Sequence, residues 1–126
     1  MSEYSFVKYT GNSPRGDTKI AINKSGLIRL SSGFCRLTNV TDFEYAILFY
    51  DPVKKAIAFN FTNTQEDGAL KVTKDRTGAT LSATSFMKVN KLLLRSYFGR
   101  HEWKKLHIQN IGEVYIIDLN KNETNI

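Results

Sequence analysis

Cysteine is almost absent from this chain of 126 residues, since Cys35 is the only one. An internal disulfide is therefore excluded, and we expect a reducing compartment. A zinc site would have to use the two histidines, His101 and His107, together with carboxylates. The spacing of these histidines is not typical of a metal site, so we expect no metal or other cofactor.

Long apolar runs and catalytic signatures are also missing. No stretch approaches the roughly 20 apolar residues of a membrane-spanning helix, and residues 1–17 contain no apolar core of signal-peptide length. We therefore expect a soluble, cytoplasmic protein without a membrane partner. The sequence contains no nucleophile elbow, P-loop, dinucleotide fingerprint or HExxH pattern. We expect a protein that is not an enzyme.

The chain is rich in positive charge and in aromatic residues. It has 18 Lys and Arg against 12 Asp and Glu, a net charge of +6, eight Phe and six Tyr. This composition predicts one globular domain spanning residues 1–126. A basic protein suits a polyanion such as nucleic acid, a phosphate-rich small molecule or an acidic protein. The alternative is a basic protein that is merely soluble.

The sequence also matches itself at an offset of 52, where TKIAINKSG lies over LKVTKDRTG. Lys24 then aligns with Arg76, and Phe34 aligns with Phe86. After an insertion of about seven residues the match resumes, with Ile57 over Ile116. This self-similarity predicts two repeats, at about 18–61 and 69–119, preceded by an N-terminal arm at 1–17.

Each repeat reads as a β-hairpin, a helix and a second β-hairpin. In the first copy, strands flank a turn at Lys24-Ser25-Gly26, a helix begins at Ser31 or Ser32, and a hairpin covers residues 44–61. In the second copy, the turn is at 75–78, one helix runs from Ser85 to Tyr97, and a hairpin covers residues 103–119. Because neither unit can bury its apolar face alone, we predict an α+β fold. The fold would be a small, β-barrel-like structure in which a pseudo-twofold axis relates the two repeats.

The first copy resembles a known family. The order KIAINKSGLIRLSSGFCRL, then YAILFYD, then KKAIAFNF is similar to the swapped-hairpin domain of AbrB-type transition-state regulators, and MraZ-like proteins carry two such units in one chain. The matching positions are Ile20, Ile22, Gly26, Ile28, Leu30, Leu37, Leu48 and Ile57. The resemblance implies that basic hairpin residues contact DNA, namely Lys19, Lys24 and Arg29, and by repeat Lys71 and Arg76.

The candidate nucleic-acid-binding residues form two clusters in the sequence. The hairpin cluster, on the solvent face of its strands, comprises Lys19, Lys24, Arg29, Lys71, Lys74 and Arg76; the pseudo-twofold would bring both hairpins to one surface. The second cluster comprises Arg95, Arg100, Lys104 and Lys105, interleaved with Tyr97, Phe98 and Trp103. The alternatives are that exposed lysines protect strand edges, and that the aromatic residues form a hydrophobic seam at a helix end.

We therefore predict a DNA-binding protein, double-stranded DNA being favoured over single-stranded DNA. Its role would be that of a transcriptional or plasmid and phage accessory regulator. The alternative is a non-enzymatic module that binds an acidic protein or a phosphorylated small molecule, as an inhibitor or sequestering protein. Self-association into a homodimer is a further alternative.

Overall fold

The computed structural model describes residues 18–122, so the arm predicted at residues 1–17 lies outside the described residues. The strands are β1 (Ile20–Ile22), β2 (Leu27–Ser31), β3 (Tyr45–Asp51), β4 (Ala56–Thr62), β5 (Leu70–Lys71), β6 (Thr73–Asp75), β7 (Gly78–Ser82), β8 (Gly99–Ile108) and β9 (Gly112–Asn122). Three short helices, α1 (Ser32–Thr38), α2 (Thr84–Val89) and α3 (Leu94–Tyr97), connect them, and a 3₁₀ turn covers Val40–Asp42.

One antiparallel sheet contains all nine strands, in the order β5-β3-β4-β9-β8-β1-β2-β7-β6. Its two edges are formed by adjacent parts of the same segment, residues 70–75. Leu70 pairs with Ala46 of β3, the Val72 N–H donates to the Glu44 carbonyl at 2.8 Å, and Lys74 pairs with Ala79 of β7. The sheet is therefore nearly closed, and the prediction of a small barrel-like fold is confirmed.

Alternating apolar residues fill the interior of this barrel. Ile20 and Ile22 of β1, and Ile57 and Phe59 of β4, are fully or almost fully buried. Period-two alternation of this kind places one face of each strand in the core. Phe34 of α1 closes the interior at one end. Its ring lies 4.9 Å from that of Trp103 and 5.4 Å from that of Tyr115, in the edge-to-face arrangement that aromatic pairs favour.

The first turn and the first helix form as the sequence predicts. Gly26 has a φ of 91°, a conformation in which a side chain would be strained. The Ser31 hydroxyl accepts a hydrogen bond from the Phe34 N–H at 3.2 Å, which caps α1. Helix α1 then ends at Asn39, whose φ is 58°. The predicted helix between Ser31 and Thr38 is confirmed.

The single helix predicted from Ser85 to Tyr97 is wrong. Two short helices take its place, because α2 ends at Val89 and Lys91 adopts a φ of 57°. The Asn90 side-chain amide donates to the Phe86 carbonyl at 2.9 Å, a local bond that competes with helical continuation. The break allows Leu92 and Leu94 to pack against the core.

The strand pairings of residues 18–62 have counterparts in residues 70–122. β1 pairs with β2 as β6 pairs with β7, and β3 pairs with β4 as β8 pairs with β9. The predicted match of Ile57 with Ile116 is wrong, because Ile57 lies opposite Ile117 and faces the core, whereas Ile116 lies opposite Ala58 on the outer face. The duplication itself stays a prediction.

Candidate functional site

Charge is unevenly distributed along the described chain. Residues 18–41 and 76–101 contain no Asp or Glu, whereas residues 42–75 and 102–122 contain nine carboxylates. We call the first two segments the cationic half. It carries nine cations: Lys19, Lys24, Arg29, Arg36, Arg76, Lys88, Lys91, Arg95 and Arg100. Six of the ten predicted site residues belong to it, whereas Lys71, Lys74, Lys104 and Lys105 do not.

The fold brings the two segments of the cationic half together. Its strands β1, β2 and β7, with the first residues of β8, are neighbours in the sheet and form one wall of the barrel. Helix α1 packs on β2 and β7. Ala83, immediately before α2, is joined to the β1–β2 turn through a bond from its N–H to the Gly26 carbonyl at 3.1 Å. The two cationic segments are therefore neighbours in the fold, although Asp75 and Glu102 of the other segments lie beside Arg29 and Lys19.

One end of this wall collects cations from both predicted clusters. Ile22 of β1 lies opposite Gly99 of β8, which places the β1–β2 turn beside Phe98. The Lys24 Nζ lies 4.9 Å from the centroid of the Phe98 ring, a cation–π contact. The Thr84 hydroxyl donates to the Ser25 carbonyl at 3.1 Å and fixes the turn against α2. We call this region, which comprises the β1–β2 turn, α2, α3 and Phe98, the α2–α3 end.

Four exposed cations lie on the α2–α3 end: Lys24, Lys88, Lys91 and Arg95. Lys24 and Arg95 were predicted in separate clusters, and the fold brings them to the same end. The sequence interpretation missed Lys88 and Lys91, because it scored hairpins and aromatic-flanked cations. A count of carboxylates along the chain would have found them, since the run from 76 to 101 contains none.

Arg29 has a structural partner. Its guanidinium donates to both Asp75 carboxylate oxygens, at 2.6 and 2.9 Å, and to the Thr77 hydroxyl at 2.6 Å. These hydrogen bonds raise the pKa of Arg29 and hold the pKa of Asp75 well below its usual range. The guanidinium group is therefore oriented towards the β6–β7 turn. Because Arg29 connects β2 to β6 through these bonds, we leave it out of the candidate interface.

Three other predicted cations lie close to carboxylates. The distances are 3.0 Å between Lys74 and Glu44, 3.4 Å between Lys105 and Glu113, and 3.9 Å between Lys19 and Glu102. All six side chains are partly exposed, so these pairs contribute little to stability. A phosphate at these sites would also meet the nearby carboxylate.

The two basic hairpin turns do not form one patch. Leu27 of β2 lies opposite Ser82 of β7, and Ser31 lies opposite Gly78. The β1–β2 turn with Lys24 and the β6–β7 turn with Arg76 therefore lie at opposite ends of this strand pair, roughly 13 Å apart along the strands. Because β2 and β7 are antiparallel, the two turns are separate cationic regions at opposite ends of one wall, and the expectation that both hairpins share one surface stays a prediction.

The aromatic residues of the second cluster pack towards the protein. Trp103 contacts Phe34 and Tyr115, and its indole N–H donates to the Thr18 carbonyl at 2.7 Å. Tyr97 packs against the core, and its carbonyl accepts a bond from Nε2 of the buried His101 at 2.8 Å. Trp103 and Tyr97 thus form the hydrophobic seam that the sequence interpretation left as the alternative to base stacking.

The described part of the chain offers no other recognisable chemistry. Within it, no three side chains of His, Cys, Asp or Glu form a group that could hold a metal ion. Burial raises the pKa of the Cys35 thiol. None of the helices between residues 18 and 122 is long and apolar enough to cross a membrane.

Comparisons with protein-family models, with curated proteins and with solved structures found no significant match to this chain. The resemblance to AbrB-type and MraZ-like proteins therefore rests on the quoted residues alone and stays a prediction.

Proposed function

We propose that this protein binds double-stranded DNA through its cationic half, as a non-enzymatic regulator of transcription or of plasmid or phage functions. The observation that carries the proposal is the separation of charge. Nine cations and no carboxylates lie in the segments that form one wall and the α2–α3 end. A surface with an excess of one sign of charge attracts a polyanion and concentrates it locally.

The α2–α3 end is the centre of the proposed interface. Lys24, Lys88, Lys91 and Arg95 are exposed there, and the segments that carry them contain no acidic residue. Each cation that neutralises a phosphate releases condensed counterions, which favours binding and makes it dependent on salt. The proposed interface is thus one that contacts phosphates.

The preference for duplex over single strands follows from the aromatic residues. Proteins that bind single strands present aromatic side chains on which bases stack. Here Trp103 packs against Phe34 and Tyr115, and Phe98 lies partly buried under Lys24. Exposed cations beside aromatic side chains that pack against the protein suit the regular phosphates of a duplex better.

The internal repeat and the AbrB-like resemblance belong to the same proposal. Two related hairpin, helix, hairpin units would account for the corresponding strand pairings of the two halves. They would also account for a second cationic region at the other end of the wall, where Arg36 and Arg76 lie. Contacts from both ends would let one molecule bind phosphates at two places.

A second candidate function is the binding of an acidic protein or a phosphorylated small molecule. Arg36 and Arg76 line a shallow pocket of about 270 Å³ that also includes Ser32, Thr41 and Asp75. The Asp75 carboxylate is bonded by Arg29, which offsets its charge. Guanidinium groups and hydroxyls are the donors that bind phosphate groups in proteins. This pocket supports the alternative for a small phosphorylated ligand.

Fluorescence anisotropy with labelled DNA distinguishes the two functions. We expect the full chain to bind a mixed-sequence duplex more tightly than a single strand of equal length. The logarithm of the association constant should fall linearly with the logarithm of salt concentration, with a slope of about −3 to −4 for four phosphate contacts. Absence of duplex binding at 50 mM salt would exclude the DNA proposal. Thermal stabilisation by nucleotides without duplex binding would support the second candidate.

A further inference from the structure

A second surface, on the side of the barrel opposite β2 and β7, is unusually apolar. The β3, β4, β8 and β9 strands carry apolar residues at outward positions, so that β3 reads AILFY and β9 reads VYII without interruption. Continuous apolar runs are typical of strands that are covered on both faces. In this barrel the interior covers one face only. We call the outward set the outer apolar face: Phe49, Ala56, Ala58, Leu106, Ile108, Ile111 and Ile116.

This face contains a groove and a projecting ring side by side. In the sheet register, Phe49 lies opposite Ala58, and Ala58 lies opposite Ile116. The small side chains of Ala56 and Ala58 form the floor of a groove of about 370 Å³, with Phe49 on one side and Leu106 on the other. Phe49 is 38% exposed and Leu106 is 43% exposed, although both are large and apolar. Exposed apolar patches of this kind mark interaction sites.

The charges around the groove indicate the partner. Lys54 and Lys104 line it together with Asp51 and Asp118, so the face carries two charges of each sign. A nucleic acid or an acidic protein would meet the two aspartates, and a basic partner would meet the two lysines. A second copy of the same face offers both signs, so a twofold contact can place lysines of one copy near aspartates of the other.

We propose that the outer apolar face is a homodimer interface, in which Phe49 of each copy enters the groove above Ala56 and Ala58 of the other. The contact is isologous, because the projecting ring and the groove belong to the same surface. Phe49 acts as the aromatic anchor that such interfaces use. The inference does not depend on DNA binding, because β4 and β9 lie on the opposite side of the barrel from β2 and β7.

The molar mass of the full chain in solution tests this proposal. We expect size-exclusion chromatography with light scattering to give twice 14.4 kDa at 100 μM or above, and dilution to give the monomer. Ala58→Glu fills the groove with a charged side chain, and Phe49→Ala removes the anchor. Each should raise the dimer dissociation constant at least tenfold.

The controls separate loss of the interface from loss of the fold. Phe49→Ala changes a partly exposed side chain, so it should fold even where Ala58→Glu does not. Ser82→Glu adds the same charge to an exposed residue of β7, on the other side of the barrel, and should leave the dimer intact. A wild-type monomer at 100 μM overturns the proposal. A dimer that survives in folded Phe49→Ala also overturns it.

Discussion

Gly78 lies where β7 closely approaches β2, and the substitution Gly78→Ala tests whether this close approach is needed for stability. Its φ is 145°, and it lies opposite Ser31 at the first residue of β7. A Cβ atom at this position would overlap the Leu30 carbonyl oxygen, at a separation that real Cβ atoms do not show. The carbonyl belongs to β2, which pairs with β7, so we expect the contact to be relieved by local separation of these two strands.

The cost of Gly78→Ala has two parts. A non-glycine residue in such a backbone conformation costs about 1–3 kcal/mol. Separation of the strands weakens one or two ladder hydrogen bonds, each worth about 0.5–1.5 kcal/mol. The expected loss is therefore about 2–6 kcal/mol, a large part of the roughly 5–15 kcal/mol by which domains of this size are stable.

Gly68→Ala is the matched control. Gly68 also has a positive φ, 83°, but a Cβ there would meet no atom within 4 Å. This variant should cost only the backbone strain, about 1–2 kcal/mol. Urea unfolding followed by the fluorescence of Trp103, the only tryptophan, measures both variants. If both variants lose the same free energy of unfolding within 0.5 kcal/mol, the contact at Leu30 has no energetic consequence and the reasoning is refuted.

Two further predictions concern pH. Burial lowers the pKa of His101 from its ordinary value of 6.5. Below pH 6.5 the unfolded chain therefore binds a proton at this residue that the folded chain does not bind. The free energy of unfolding should then fall by up to about 1.4 kcal/mol for each pH unit below 6.5. The free energy of unfolding, measured between pH 7 and pH 5, should no longer depend on pH in this way in His101→Phe. The dependence should remain in His107→Gln, which changes an exposed histidine. Equal slopes in the wild type and both variants would contradict the assignment to His101. The Arg29 hydrogen bonds lower the pKa of Asp75, so that pair stabilises the fold above the ordinary value of 3.8 and is lost as pH falls below it. Because the pKa of Asp75 in the folded chain lies well below 3.8, this contribution is only partly lost at pH 2. Asp75→Asn should therefore lower the urea midpoint at pH 7 and have a smaller effect at pH 2, and an undiminished effect at pH 2 would show that the carboxylate charge is not involved.

Local patterns predicted much of the fold. The alternation around Gly26 and the serine before α1 specify their turn and helix by short-range chemistry, and both form as expected. The helix predicted from Ser85 to Tyr97 fails because spacing cannot reveal the Asn90 side-chain bond or the packing of Leu92, which depend on the rest of the barrel.

The candidate site was predictable in kind but not in arrangement. The net charge of +6 and the basic hairpins are enough to indicate a surface that suits a polyanion. The sequence could not show that Arg29 bonds Asp75, which lies 46 residues away, or that Lys24 and Arg95 share one end. These pairings depend on the order of the strands, which non-local contacts decide.

The salt dependence of duplex binding by two matched variants tests the central claim most directly. Lys91 and Lys55 are both exposed, with φ values of 57° and 55°, but only Lys91 belongs to the cationic half. If Lys91 contacts a phosphate, Lys91→Gln should reduce the magnitude of the salt slope by about 0.9 and weaken binding about eightfold at 0.1 M salt, whereas Lys55→Gln should match the wild type. Equal slopes and affinities for both variants would contradict the assignment of DNA binding to the α2–α3 end.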